Sequence, residues 1–213
     1  MRAAAFLAAA LAAPPALAHP VTFPGNLMVM GEADRNWQEL NAWYTFAPRH
    51  AAGGGFMSFR SGDGARERDV PNVHYNFRAA RWNWPDAQAN VYLQAGLGRA
   101  TGNDFSGSHA VFMPGFQADY ETRRVYTAYG WHGMRGGPVK HAFHKVQAGF
   151  SFYAVDYDDW QPWFILDVRK ASNLGMDTEV TPTLRLIHKS LFLEAGAVDG
   201  ERLRLNVMYN FSF

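Results

Sequence analysis

The sequence predicts an all-β protein, a transmembrane antiparallel β-barrel of about twelve strands. Three observations carry that prediction: a leader-like N-terminus, a diluted aromatic composition, and a last segment that alternates with a period of two. Of 213 residues, 48% are hydrophobic, 15% aromatic and only 18% charged, yet mean hydropathy is −0.25. Apolar and polar residues must therefore alternate at short range, as strands with one face in lipid and one toward a lumen require. The 20 basic and 19 acidic residues give a net charge of +1, which excludes a nucleic-acid footprint or a polybasic membrane patch. The chain has no cysteine, which excludes a disulfide framework, a thiolate zinc site and cysteine catalysis.

Residues 1–18 read as a cleaved signal peptide. Arg2 supplies the positive start, Ala3 to Ala13 the apolar stretch, and Ala16-Leu17-Ala18 the small-x-small cleavage pattern after Pro14 and Pro15. The apolar stretch is too short and too alanine-rich to span a bilayer. Cleavage after Ala18 makes His19 the first residue of a single barrel domain, 19–213.

Strands are expected near 26–33, 38–46, 53–60, 70–79, 88–98 and 109–121, then near 125–134, 141–155, 161–170, 180–188, 190–198 and 202–213. The fourth rests on Val73, Tyr75 and Phe77 alternating with His74, Asn76 and Arg78. The fifth rests on Val91, Leu93, Ala95 and Leu97, and the eighth on Val146, Ala148, Phe150 and Phe152. Glycines blur 53–60, and mixed aromatics blur 125–134. Fusing 109–121 with 125–134 would leave eleven strands, an odd number that single-chain bacterial barrels avoid, so ten is the alternative to twelve. With both termini facing the periplasm, turns on that side fall at 47–52, 80–87, 122–124, 156–160 and Lys189. Outer loops fall at 34–37, 61–69, 100–108, 135–140, 170–179 and 199–201.

The last strand is the clearest. Leu203, Leu205, Val207, Tyr209, Phe211 and Phe213 share one face, against Arg204, Asn206, Met208, Asn210 and Ser212, with Met208 the one exception. This ending resembles the closing strand of Gram-negative outer-membrane β-barrels, whose terminal aromatic belongs to the assembly signal. The resemblance assigns that role to Tyr209, Phe211 and Phe213. It implies a cell outer membrane location, with outer-membrane lipid, lipopolysaccharide and the barrel-assembly machinery as partners. Arg81-Trp82-Asn83-Trp84-Pro85-Asp86-Ala87-Gln88-Ala89-Asn90, with His19-Pro20-Val21, resembles proteobacterial outer-membrane proteins to which no activity attaches.

If the apolar face is outside, the lumen gains cations from Arg78, Lys145, Arg169, Arg185, Arg202 and Arg204. It gains anions from Glu39, Asp119, Glu121, Asp167 and Glu194. Six against five favours a paired network over the uncompensated field that an anion-selective pore needs. The expected function is a narrow porin-like channel for small solutes or ions, or a structural surface protein. Catalysis is not expected. His188-Lys189-Ser190 reads as a periplasmic turn, and Ser106-Gly107-Ser108-His109 as an outer linker. No cofactor is implied. The alternative is a copper-linked outer-membrane protein, in which the α-amine and imidazole of His19 chelate a metal. Met28 and Met30, the pair His132 and Met134, and His141 with His144 are weaker metal signals, because His141 and His144 fall on opposite strand faces. Trp82, Trp84, Tyr120, Tyr157, Trp160 and Trp163 are expected in an interfacial girdle.

Overall fold

The computed structural model describes residues 19–156 and 158–213; the expected leader 1–18 and Tyr157 lie outside the described residues. Twelve strands form: β1 Leu27–Ala33, β2 Trp37–Ala47, β3 His50–Arg60, β4 Glu67–Asn83, β5 Ala87–Gly102 and β6 His109–Thr122, then β7 Val125–Gly136, β8 Val139–Ser151, β9 Gln161–Ala171, β10 Glu179–His188, β11 Leu191–Val198 and β12 Arg202–Phe211. Each pairs antiparallel with its sequence neighbours, and β1 pairs with β12 from Leu27↔Phe211 to Ala33↔Leu205, which closes the barrel. Among the described residues there is no helix. Closure removes both sheet edges, so every strand finds ladder partners on two sides.

The two blurred runs are both strands. Glycines 53–55 do not break β3: a Cβ on Gly55 would collide with the side chain of Asn41 on β2, so the missing side chain lets β2 and β3 pack closely. β4 and β5 run further than the alternation suggested, narrowing the turn expected at 80–87 to 84–86 and extending into both neighbouring outer loops. The extension of β4 depends on a bulge. Arg78 pairs with Tyr92 and Ala80 with Val91, so Ala79 is an extra residue. It reverses the phase, turning Arg81 inward and leaving Trp82 half-exposed outside.

Away from the register shifts at Phe46 and Ala79, side chains obey the alternation around the barrel. Leu40, Val73, Leu97, Phe112, Phe150, Leu184 and Leu203 are exposed on the outer wall. Inside, two apolar layers form. Toward the end where β1 begins and β12 finishes, Met28, Trp43, Tyr92, Trp163, Phe192 and Met208 pack together. Toward the opposite end, Phe59, Val70, Val111, Met134, Val139 and Leu174 do so. Met208, the exception in the last strand, is thus an inward residue of the first layer, at 1% exposure. Burying it is worth roughly 1.5–3 kcal/mol. Trp163 corrects the expected girdle: it is fully buried in the same layer, because it shares the inward face of β9 with Ile165 and Asp167. Trp82, Trp84, Tyr120 and Trp160 are exposed as expected.

Residues 19–26, which precede β1, do not hang free. They turn into the barrel mouth, with Val21 in the first apolar layer. The segment is stitched to β2: Thr22 N–H donates to Thr45 Oγ1 at 3.1 Å, and Gly25 N–H to the Thr45 carbonyl at 2.8 Å.

Candidate functional site

Between the two apolar layers lies a polar waist built by inward residues of neighbouring and of facing strands. Arg169 on β9 donates to both carboxylate oxygens of Glu32, which reaches across from β1, and its Nε donates to Asp167 at 2.9 Å. Lys145 on β8 lies 3.4 Å from Asp167 and 4.0 Å from Glu32. Arg204 on β12 donates to Glu179 at 2.5 Å and to Asp34 at 2.7 Å. Asp34 has a second duty: its other oxygen accepts the N–H groups of Asn36 and Trp37, which shapes the β1–β2 turn. Arg202 shares Glu179 with Arg204 and also reaches Asp199. Lower on the wall, Arg185 pairs with Glu194, whose other oxygen accepts from Asn206 at 3.0 Å. Charge-assisted pairs of this kind offset the desolvation that inward charges incur.

A separate cluster sits at the mouth occupied by residues 19–26. His19 Nδ1 lies 3.5 Å from Asp119 and Nε2 3.4 Å from Glu121, and the ring stacks on Tyr92 at 5.9 Å. Gln88 donates to Glu121 at 3.1 Å and Asn90 to Asp119 at 2.7 Å. Burial alone would lower the imidazole pKa, but the hydrogen bonds and charges of Asp119 and Glu121 outweigh it and carry it up to about 9. His19 therefore acts as a cationic peg between two carboxylates.

Of the expected lumen residues, Asp119, Glu121, Lys145, Asp167, Arg169, Arg185, Glu194, Arg202 and Arg204 all enter ion pairs. Arg78 faces inward but joins no carboxylate; its guanidinium donates to the Pro48 carbonyl at the terminal rim. Glu39 faces inward and is hydrogen-bonded without a cation, accepting from Trp37 Nε1 at 3.1 Å and Asn41 at 2.5 Å. The alternation missed Glu32, Asp34, Glu179, Arg68 and Arg81. Glu32 was readable from its shared face with Met28 and Met30, whereas Arg81 depends on the bulge and Asp34 on a turn. Arg68, buried on β4, pairs with Asp104 of the β5–β6 loop and lies over Phe105.

The other sequence signals disperse. His188 stacks on Trp160 at 4.7 Å, and its Nε2 lies 3.1 Å from the Asp158 carbonyl, outside the lumen. His141 is buried against Phe59, while His144 is exposed and bonds Tyr129 on the outer wall. Among the described residues no group of three or more His, Cys, Asp or Glu has metal-binding geometry. Tyr209 and Phe211 lie together on the outer wall with ring centroids 4.6 Å apart, and Phe213 extends past β12 at 90% exposure.

The waist encloses a cavity of about 230 Å³. Its lining runs from Asp177 in the β9–β10 loop, past Glu32, Lys145 and Arg169, to Tyr126 and Pro20 beside the inserted segment. The lumen is thus narrow and largely filled by the protein's own side chains.

No protein-family model matches the chain, and no curated protein matches it. Among solved structures, the KdgM porin aligns over 88% of this chain and 99% of its own, at 13% identity and a TM-score of 0.51. A KdgM porin in complex with disordered oligogalacturonate aligns over the same shares with the same scores. At that identity the likeness is one of fold: a closed, antiparallel β-barrel of the kind a porin uses.

Proposed function

We propose that this chain is an exported outer-membrane β-barrel that works as a narrow porin-like channel for small solutes or ions, closed at rest by its own interior. One observation carries the reading: the barrel is inverted in polarity, with large apolar residues on its outer wall and an ion-paired waist around a cavity of about 230 Å³. A sheet with an apolar exterior and no open edge suits a bilayer, where unpaired backbone groups are not tolerated. The signal peptide over 1–18 brings the chain to the periplasm. Tyr209, Phe211 and Phe213 then present it to the barrel-assembly machinery, and outer-membrane lipid and lipopolysaccharide surround the apolar wall.

The KdgM porin has been solved with an acidic oligosaccharide, but this lumen is ill suited to a polyanion. Arg169, Arg185, Arg202 and Arg204 are each committed to carboxylates, so the waist itself holds no free arginine to concentrate anions. Uncharged or cationic solutes fit the waist better. The test is planar-bilayer conductance of the folded protein and of a variant lacking residues 19–25. Small stepwise openings that grow in the truncated variant are expected. A flat trace from both would overturn the channel and leave a structural surface protein.

A further inference from the structure

The acidic residues of the waist are balanced one by one, except for one. Six strand carboxylates that face the lumen, Glu32, Asp119, Glu121, Asp167, Glu179 and Glu194, each have a cation or a protonatable imidazole within 4.0 Å. Glu39 has none among the described residues. It is also paired directly across the β1–β2 ladder with Glu32. Like charges at such a position cost stability unless a cation lies near both. Arg169 and Lys145 serve Glu32, and nothing equivalent serves Glu39.

The surroundings of Glu39 indicate what kind of cation would serve. Its carboxylate borders the central cavity, and Trp37 and Trp43 stand on the same face of β2 and line that cavity with it. Phe143 meets Trp37 edge to face at 5.1 Å, and Met28 and Met30 complete the wall from β1. Among the described residues no three or more His, Cys, Asp or Glu side chains converge as a hard metal ion needs. Aromatic rings lining the cavity beside one carboxylate instead suit an alkylated ammonium, through combined charge and cation–π attraction. Asp177, exposed where the cavity reaches the β9–β10 loop, offsets Lys170 of the same lining, so the approach carries no net positive charge from this pair. Gly55 belongs to the same device, because any side chain there would displace Asn41, which orients Glu39.

We propose that the cavity beside Glu39 is a binding site for a small organic ammonium ion, which deepens the channel reading by naming the class of solute that dwells in the waist. The test is calorimetric titration of the full, folded chain in detergent with choline and with 3,3-dimethyl-1-butanol, its uncharged isostere. Choline is expected to bind and the isostere to bind at least about tenfold more weakly, because only choline carries the charge that Glu39 lacks. Glu39→Gln should weaken choline about tenfold while leaving heat-modifiable migration intact, and Trp43→Leu should weaken choline without affecting the Glu39 hydrogen bonds. Equal binding of both compounds, or choline binding unchanged in Glu39→Gln, overturns the site. Should either variant misfold, the comparison of choline with its isostere on the unaltered chain still decides. Choline binding without bilayer conductance would sink the channel reading but keep the site, and conductance without choline binding would do the reverse.

Discussion

Arg185 and Glu194 face each other directly across the β10–β11 ladder, with Nε 2.9 Å from Oε1, and the guanidinium lies between Tyr126 at 4.6 Å and Phe192 at 4.8 Å. Both side chains are almost wholly buried. Truncating one partner strands the other charge among aromatic rings, a change that costs about 3–5 kcal/mol at a buried pair. Glu194→Ala should therefore lower the urea midpoint of the barrel in lipid vesicles markedly. The double replacement Arg185→Met with Glu194→Leu should recover most of that loss, since two apolar groups of similar size leave no orphan charge. Equal losses in single and double variants would show that packing, and not charge pairing, holds this part of the wall.

His19 should make the proposed closed state depend on pH. Its folded pKa, about 9, lies above the ordinary imidazole value near 6.5. The peg therefore contributes fully below pH 6.5 and is lost as the pH rises through 9. Conductance of the unaltered protein should climb between pH 8 and pH 10. The variant lacking residues 19–25 should be open throughout and flat across that range. A rise of the same size in the truncated variant would place the titrating group elsewhere.

The alternation made most of the barrel readable from sequence, because a residue's face follows from its parity once one strand is oriented. β12 is the clearest case, and even Met208 obeys: it is apolar because the lumen is apolar at that height. That same fact explains why Trp163 could not be placed. A tryptophan near a strand end reads as girdle until the interior is known to hold an apolar layer of its own. Asp34 and Glu179 escaped notice because they sit in a turn and at a strand tip, whereas Glu32 was readable as inward from Met28 and Met30 but parity does not say that it meets Arg169 across the barrel. Glu39 was readable as inward, but its lack of a cation appears only once the other carboxylates have found theirs.

Parity breaks at two irregularities, at Phe46 on β2 and Ala79 on β4, and the second is testable. Ala79 reverses the phase of β4, and Arg49 secures the bulge by donating to the carbonyls of Arg78 and Ala79. Deleting Ala79 and Ala80 together would send Arg81 to the outer wall, away from Gln88, and drive Trp82 into the mouth. Such a slip should cost about 1–3 kcal/mol and lower the fraction of heat-modifiable barrel. Deleting Ala79 alone removes only the extra residue, keeps Arg81 opposite Asn90 on the inner face and should cost less. If the double deletion left folding unchanged, the phase of β4 would be incidental to the placement of Arg81.

Phe213 separates assembly from stability. It projects past the end of β12 with 90% of its surface exposed, so the folded barrel gains almost nothing from it. Removing an exposed side chain with no packing role shifts stability by about 0.5 kcal/mol or less. Deleting Phe213 should therefore leave the urea midpoint of protein refolded in vitro unchanged. In cells the same deletion should cut the amount of folded barrel in the outer membrane several-fold, because the side chain would act on the assembly machinery before the barrel closes. Tyr209→Ala gives the contrast. That ring packs against Phe211 on the outer wall, so its loss should lower both cellular yield and the in vitro midpoint. If deleting Phe213 lowered the midpoint as much as Tyr209→Ala does, the terminal residue would be a structural element of the barrel and the assembly reading would fail.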